Sequence, residues 1–154
     1  MTEDCLTVPI TTINGRICFD SRGKQTIEVD VFVNGGYGRA AAPSGASVGI
    51  YEAKAFPESG ATESLREITN ISSNLLGVDA SDVGKITSLL REFDGTGNYS
   101  KLGGSAAYAI SIAAAEAAAK ANSQLLFEFL NHEVEAKMPY PIGNVLGGGK
   151  HAGP

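Results

Sequence analysis

The chain has 154 residues, of which 12 are basic and 17 acidic, and its formal charge is −5. This length favours one compact domain and is too short for a complete (β/α)8 barrel, which needs about 250 residues. The acidic balance, with no run of Lys or Arg, argues against a nucleic-acid partner.

The first third of the sequence predicts three strands. Residues 27–33 alternate apolar and polar side chains with β-branched enrichment, and Asn34-Gly35-Gly36 then supplies a hairpin turn. We expect residues 37–42 to run back beside this strand. Residues 6–19 are rich in Thr, Val and Ile and end in a polar turn at 20–23. The prediction is a three-stranded antiparallel meander.

Helical periodicity begins after Gly60. The first predicted helix has Thr62 as its N-cap and Gly77 as its left-handed end, and a second helix starts near Ser81. Residues 102–122 form an alanine-rich third helix whose backbone can approach a neighbour closely. Residues 124–130 form a short fourth helix that should bury five apolar side chains, namely Leu125, Leu126, Phe127, Phe129 and Leu130. Strands followed by a helical bundle indicate an α+β fold.

The remaining segments set the domain boundary and the compartment. We divide the chain into a domain over residues 1–137 and, over residues 138–154, an extended Pro-containing linker followed by the start of a further domain. Val145 and Leu146 resemble the start of a strand whose partners are missing. The chain is therefore expected to be part of a longer protein. The first ten residues lack a signal-peptide pattern, which favours the cytoplasm, and Cys5 and Cys18 are expected as reduced thiols. The alanine stretch is too short and too weakly apolar for a membrane span.

The stretch 43–53, Pro-Ser-Gly-Ala-Ser-Val-Gly-Ile-Tyr-Glu-Ala, carries the most chemistry. Serine hydroxyls and backbone oxygens on a thin, glycine-flanked loop can bind a hard cation such as Mg²⁺ and can close as a lid. An ordinary connecting loop often has the same composition. Composition alone leaves both interpretations open.

Ordered motifs along nearly the whole chain closely resemble the enolase family. They are Asp20-Ser21-Arg22-Gly23, Thr26-Ile27-Glu28-Val29, Pro43-Ser44-Gly45-Ala46-Ser47 with Gly49 and Glu52-Ala53, Phe93-Asp94-Gly95-Thr96, Ser100-Lys101-Leu102-Gly103, the alanine helix, and Pro139 to Pro141 with Asn144-Val145 and His151-Ala152-Gly153. The resemblance implies the N-terminal α+β domain of a two-domain enzyme, with the barrel domain absent from this chain.

The resemblance also implies a function and a set of site residues. The reaction is the dehydration of 2-phosphoglycerate to phosphoenolpyruvate with Mg²⁺, in glycolysis and gluconeogenesis, in a cytoplasmic homodimer. Ser47 resembles the lid serine that coordinates the second Mg²⁺, Ala46 would close against substrate, and His151 resembles a histidine that meets the substrate. Because the proton-abstracting lysine, the general-acid glutamate and the metal carboxylates belong to the missing barrel, we expect this chain to be inactive alone.

Departures from the family pattern affect mainly the loop. Val48 stands where the family usually has Thr, and Lys24-Gln25, residues 56–58, Lys150 and Pro154 also differ. Arg22 is interpreted as a structural or interface residue, because arginine suits bidentate pairing with a carboxylate across a subunit contact. Glu28 and Glu52 are carboxylates of the kind that such a pairing uses. Residues 95–101 invite a phosphate-loop interpretation, which the absence of a preceding strand and of Gly-Lys-Ser/Thr disfavours.

Two other functions stay open from the residues alone. The first is another enzyme of the same superfamily, such as an acid-sugar dehydratase, that shares the α+β domain. The second is a non-catalytic interaction module, because the small-residue face of the alanine helix must pack against something.

Overall fold

Three strands followed by four helices make up the computed structural model, which describes residues 7–45, 47–131 and 137–145. In chain order they are β1 (Ile10–Phe19), β2 (Gln25–Val33), β3 (Gly36–Ala41), α1 (Ala61–Leu75), α2 (Val83–Asp94), α3 (Gly104–Ala121) and α4 (Leu126–Leu130).

The strands form one antiparallel sheet in the order β1–β2–β3, which confirms the predicted meander. In β2, Ile27, Val29, Val31 and Val33 are buried on the face that the helices cover. Gly35 lies in the β2–β3 turn with φ at +85°, a conformation that favours glycine. The first strand begins at Ile10, inside the predicted range of 6–19, and Leu6 lies outside the described residues.

Helix α3 lies directly on the sheet, against β2 and β3. Ten of the helix's residues between Ala106 and Ala119, mostly alanines, are buried. Close approach requires glycine on the strand as well, since a Cβ on Gly38 would lie 2.7 Å from the Ala117 nitrogen and closer still to the Ala113 carbonyl oxygen. The predicted close packing of this helix is therefore confirmed, with β3 as the neighbour.

The ends of α1 and α2 differ in detail from the predicted ends. The N-cap of α1 is Gly60, with no side-chain hydrogen bond, so the prediction of Thr62 is wrong. Gly77 does adopt the left-handed conformation, with φ at +79°. Helix α2 begins two residues after Ser81, because the Asp82 side chain accepts a hydrogen bond from the Lys85 nitrogen and caps the helix there.

The fourth helix buries fewer side chains than the sequence predicts. Phe129 is buried and Leu126 packs partly against the core. Leu125, Phe127 and Leu130 are more than half exposed, so their predicted burial is wrong. A helix of five residues can turn only one narrow face toward α3, and apolar residues on every side of it exceed what that face accommodates.

Outside this core, the described residues 137–145 are all exposed and form neither helix nor strand. The division of the chain at residue 137 stays a prediction. Over the described ranges, no helix is both long enough and apolar enough to cross a membrane.

Candidate functional site

The connection from β3 to α1 holds the residues that the sequence singles out for chemistry. We call residues 43–52 the Ser/Gly loop. Ser47 is exposed, and Val48, Ile50 and Tyr51 are 82%, 93% and 97% exposed. Three large side chains that project from this loop and are hardly buried by the described residues present a surface suited to another part of a larger protein.

The start of the Ser/Gly loop is held by the β1–β2 turn. The Ser44 hydroxyl donates to Asp20 Oδ2 over 2.5 Å, and Arg22 Nη2 donates to the Ser44 carbonyl oxygen over 2.6 Å and to Ser44 Oγ over 2.7 Å. The hydrogen bond from Ser44, followed by those from the Lys24 and Arg22 backbones, lowers the pKa of Asp20 to about 2. The carboxylate is thus charged at neutral pH.

Within this chain, Glu28 and Glu52 have partners other than Arg22, and pairing of Arg22 across a subunit contact stays a prediction. Glu28 pairs with Arg16 on the neighbouring strand, where residues 16 and 28 are in register. Glu52 accepts a hydrogen bond from the Gly49 nitrogen over 3.0 Å, inside the loop itself. Arg22 instead contacts Asp20 and the loop start, because the turn places its guanidinium beside Ser44.

The end of the Ser/Gly loop is held by backbone hydrogen bonds. The Lys54 nitrogen donates to the Asn98 carbonyl oxygen over 2.8 Å, and the Lys54 carbonyl oxygen accepts from the Gly104 nitrogen over 2.7 Å. The Ala55 carbonyl oxygen accepts from the Ser105 nitrogen over 3.1 Å. The first N–H groups of α3, which have no partner within the helix, thus hold the segment that leaves the loop.

A cavity of about 370 Å³ lies between the Ser/Gly loop and the first turns of α3. Its walls include Ser44, Ser47 and Glu52 from the loop, and Ser105 and Tyr108 from the helix. A group entering here would meet serine hydroxyls from the loop and the hydroxyl-bearing Ser105 and Tyr108 of the helix.

The oxygen donors of the loop fit a partial Mg²⁺ site. Ser47 offers a hydroxyl and a carbonyl oxygen, which are ligands that Mg²⁺ accepts, but Mg²⁺ sites in proteins are usually completed by carboxylates and water. No group of three or more His, Cys, Asp or Glu side chains within the described residues could hold a metal ion. The loop is suited to adding ligands to a cation that other residues bind.

Of the three predicted site residues, the structure describes one. Ser47 lies on the exposed loop beside the cavity. Ala46 and His151 lie outside the described residues, so their contacts with substrate stay predictions. The residues that sequence reasoning missed are Asp20 and Ser44, whose pairing joins two segments 24 positions apart; the polar character of the turn was the available signal.

The glycine-rich segment after α2 has a structural role. Asp94 is buried, and its carboxylate accepts from the backbone nitrogens of Thr96, Lys101 and Leu102. Burial raises the pKa of Asp94, but hydrogen bonds from Leu102 and Thr96, among others, outweigh it and hold the pKa below its usual value. Because these N–H groups already have an anionic partner, the segment is not arranged to cradle a phosphate.

Charged side chains also cluster on the face of the sheet opposite the helices. Asp30 is buried between Arg16 and Arg39, and each arginine donates to its carboxylate, with distances of 2.7 Å from Arg16 Nη1 and 2.6 Å from Arg39 Nε. The two guanidinium groups hold the pKa of Asp30 well below its usual range. On the same face, burial raises the pKa of the half-buried Cys18 thiol.

Comparison with known proteins gives a consistent family. Residues 10–130 match the family described as "Enolase, N-terminal domain". The chain is 48% identical over 145 residues to an enolase of Methanothermobacter thermautotrophicus, covering 94% of this chain and 35% of that protein. It is 43% identical over 145 residues to an enolase of Methanosphaera stadtmanae, covering 94% and 35%. It is 42% identical over 146 residues to an enolase of Thermoplasma acidophilum, covering 94% and 36%. The chain spans about a third of the length of these curated relatives.

Proposed function

Since this chain belongs to the enolase family through its N-terminal domain, we propose that it supplies the lid side of an active site that converts 2-phosphoglycerate to phosphoenolpyruvate. The observation that carries the proposal is the exposed Ser/Gly loop, which presents Ser47 beside a cavity while both of its ends are held by the fold. Relatives named enolase over 94% of the chain favour this reaction over that of an acid-sugar dehydratase.

Ser47 is the proposed metal ligand of this domain. Its hydroxyl and carbonyl oxygens lie on a loop that is held at both ends, and closure of this loop would bring them to a Mg²⁺ ion bound elsewhere in the protein. When bound, Mg²⁺ supplies positive charge that stabilises negative charge developing on the substrate. The exposed Val48, Ile50 and Tyr51 would exclude water when the loop closes.

Ala46 and His151 complete the proposed contacts of this chain with substrate. Ala46, next to Ser47, would pack against the bound substrate as the loop closes. His151 would donate a hydrogen bond from its imidazole to a phosphate or carboxylate oxygen. Both roles follow from the motif match.

The chain would require further residues for turnover. Proton abstraction needs a positioned base, and we propose that this base, the general acid and the metal carboxylates lie in a C-terminal barrel domain. The 154-residue chain alone would then be inactive. We further propose that the full-length protein is a cytoplasmic homodimer, which sedimentation of that protein checks; a monomer would contradict it.

The test compares the full-length protein with its Ser47→Ala variant. Phosphoenolpyruvate formation from 2-phosphoglycerate should depend on Mg²⁺ in the full-length protein and be absent in the 154-residue chain. Loss of a group that stabilises charge in the transition state costs roughly 100-fold or more in kcat, and we expect a loss of this order for Ser47→Ala.

The matched control is Ser73→Ala. Ser73 is an exposed serine of α1 whose hydroxyl donates to the Asn70 carbonyl oxygen within its own helix. Loss of this hydroxyl should leave kcat within about twofold of the wild-type value. Absence of phosphoenolpyruvate formation by the full-length protein would overturn the proposed reaction. Equal activities of Ser47→Ala and Ser73→Ala would overturn the role of Ser47.

A further inference from the structure

The two ends of the Ser/Gly loop are held in different ways. The second end is held by backbone hydrogen bonds to Asn98 and α3, and the first by the side chains of Asp20, Arg22 and Ser44. We propose that Asp20 is a positioning residue for the lid, acting through Ser44 to keep the first end of the loop fixed while Ser47 moves. This inference deepens the proposed function and rests on it.

Hydrogen bonds within the β1–β2 turn hold the carboxylate of Asp20 in place for its contact with Ser44. Its Oδ1 accepts from the backbone nitrogens of Arg22 and Lys24 over 2.9 and 2.8 Å, which ties the carboxylate to its own turn. Its Oδ2 is left for the Ser44 hydroxyl at 2.5 Å. Because both oxygens are engaged, the position of the turn fixes the position of Ser44.

Arg22 closes the contact from the other side. Its Nη2 donates to the carbonyl oxygen and the hydroxyl of Ser44, and lies 3.4 Å from the Gly45 carbonyl oxygen. The Nε of Arg22 is 3.7 Å from Asp20 Oδ2, so the carboxylate and the guanidinium are placed by each other as well as by the loop. A charged acceptor forms a stronger hydrogen bond with a hydroxyl than a neutral one does, which suits Asp20 to this role.

Ser47 lies so close to Ser44 in the sequence that the contact between Asp20 and Ser44 restricts the backbone leading to Ser47. Ser47 is the third residue after Ser44, so release of Ser44 adds backbone residues that must be ordered each time the loop closes. Ordering the backbone of one additional residue costs enough free energy to lower the equilibrium constant for loop closure roughly tenfold. The closed state would become less populated, and the apparent affinities for the cation and the substrate would fall by that factor while kcat at saturation changes little.

The experiment uses the full-length protein and its Asp20→Ala variant, with two measurements. Amide hydrogen exchange should become faster over residues 43–49 by roughly tenfold, while residues 53–56, held by Asn98 and α3, should keep the wild-type rate. The Mg²⁺ concentration for half-maximal activity and the KM for 2-phosphoglycerate should each rise roughly tenfold, with kcat within about threefold of wild type.

Lys24→Ala is the matched control, because it changes a charged side chain in the same turn while its backbone nitrogen still donates to Asp20. It should behave as wild type in both measurements. Ser44→Ala should reproduce the effect of Asp20→Ala, and the double variant should be no worse than either single one, since both remove the same contact. Asp20→Asn, which keeps only one of the two acceptor oxygens and loses the charge, should fall between wild type and Asp20→Ala.

Unchanged exchange over residues 43–49 in Asp20→Ala and Ser44→Ala, or additive effects in the double variant, would overturn the role of Asp20. If Asp20→Ala does not fold, hydrogen exchange and kinetics of Ser44→Ala and Asp20→Asn test the same contact. Failure of the proposed reaction is seen separately, as a wild-type protein that forms no phosphoenolpyruvate, and the exchange measurement still decides the role of Asp20 in that case.

Discussion

Among the glycines of the described residues, Gly38 leaves the least room for a Cβ atom. A Cβ there would lie 2.7 Å from the Ala117 nitrogen, a separation that real Cβ atoms do not show, and still closer to the Ala113 carbonyl oxygen. Both obstacles are backbone atoms of α3, which cannot rotate away as the end of a side chain can. Gly38→Ala must therefore push the strand and the helix apart along their shared interface.

The size of the effect follows from two opposing contributions. Overpacking typically costs about 1–3 kcal/mol, and backbone obstacles place Gly38→Ala at the upper end, at about 3 kcal/mol. Replacing Gly by Ala restricts the unfolded chain and contributes about 0.5–1 kcal/mol in the favourable direction. We expect a net loss of about 2 kcal/mol in the free energy of unfolding.

Urea unfolding of the chain, followed by circular dichroism, measures this loss, and Gly97→Ala is the matched control. A Cβ on Gly97 meets nothing within 4 Å, so only the favourable contribution remains and the two variants should differ by about 3 kcal/mol. Gly15→Ala should fall between them, because its nearest neighbours are methyl groups of Leu65 and Ile68 at 3.0–3.3 Å, which can shift. Equal midpoints for Gly38→Ala and Gly97→Ala would refute close backbone packing as the reason for glycine in β3.

Two further predictions concern aspartates that accept backbone hydrogen bonds. Asp82→Ala removes the cap of α2 and should lower the free energy of unfolding by about 1 kcal/mol in urea unfolding, whereas Asp82→Ser should retain most of it. The pKa of Asp94 in the folded chain lies below its ordinary value of 3.8, so its contribution is present above that pH and is lost as the pH falls through the lowered pKa. In urea unfolding at a series of pH values, the free energy of unfolding of the wild type should therefore decrease below about pH 4 more steeply than that of Asp94→Asn. The same pH dependence in both proteins would contradict this.

The regular elements of this chain are predictable because their signals are local. Alternation over residues 27–33 and the glycine at position 35 predict β2 and its turn, and both lie where expected. The left-handed Gly77 was equally readable, since a glycine after an apolar helical face usually ends the helix. Each of these features depends on residues within one turn or one strand of each other.

Features that depend on distant residues were harder to predict. The alanine content of α3 indicates a close neighbour, but which strand carries the matching glycines follows only from the packed sheet. The contact of Arg22 with Ser44, 22 positions later, was not predicted, because it depends on how the β1–β2 turn lies against the start of the Ser/Gly loop. In α4 the composition indicated general burial, whereas the length of the helix limits burial chiefly to Phe129.

The packing of α3 and the position of the Ser/Gly loop are parts of one arrangement. Gly38 allows α3 to lie against the sheet, and the first N–H groups of the same helix hold Lys54 at the end of the loop. The start of the loop is held by Asp20, whose turn joins β1 to β2 in that sheet. One end of the loop is thus held by a turn of the sheet and the other by the helix that packs on the sheet. A small separation of α3 from β3 would therefore move one end of the loop relative to the other and change the position of Ser47.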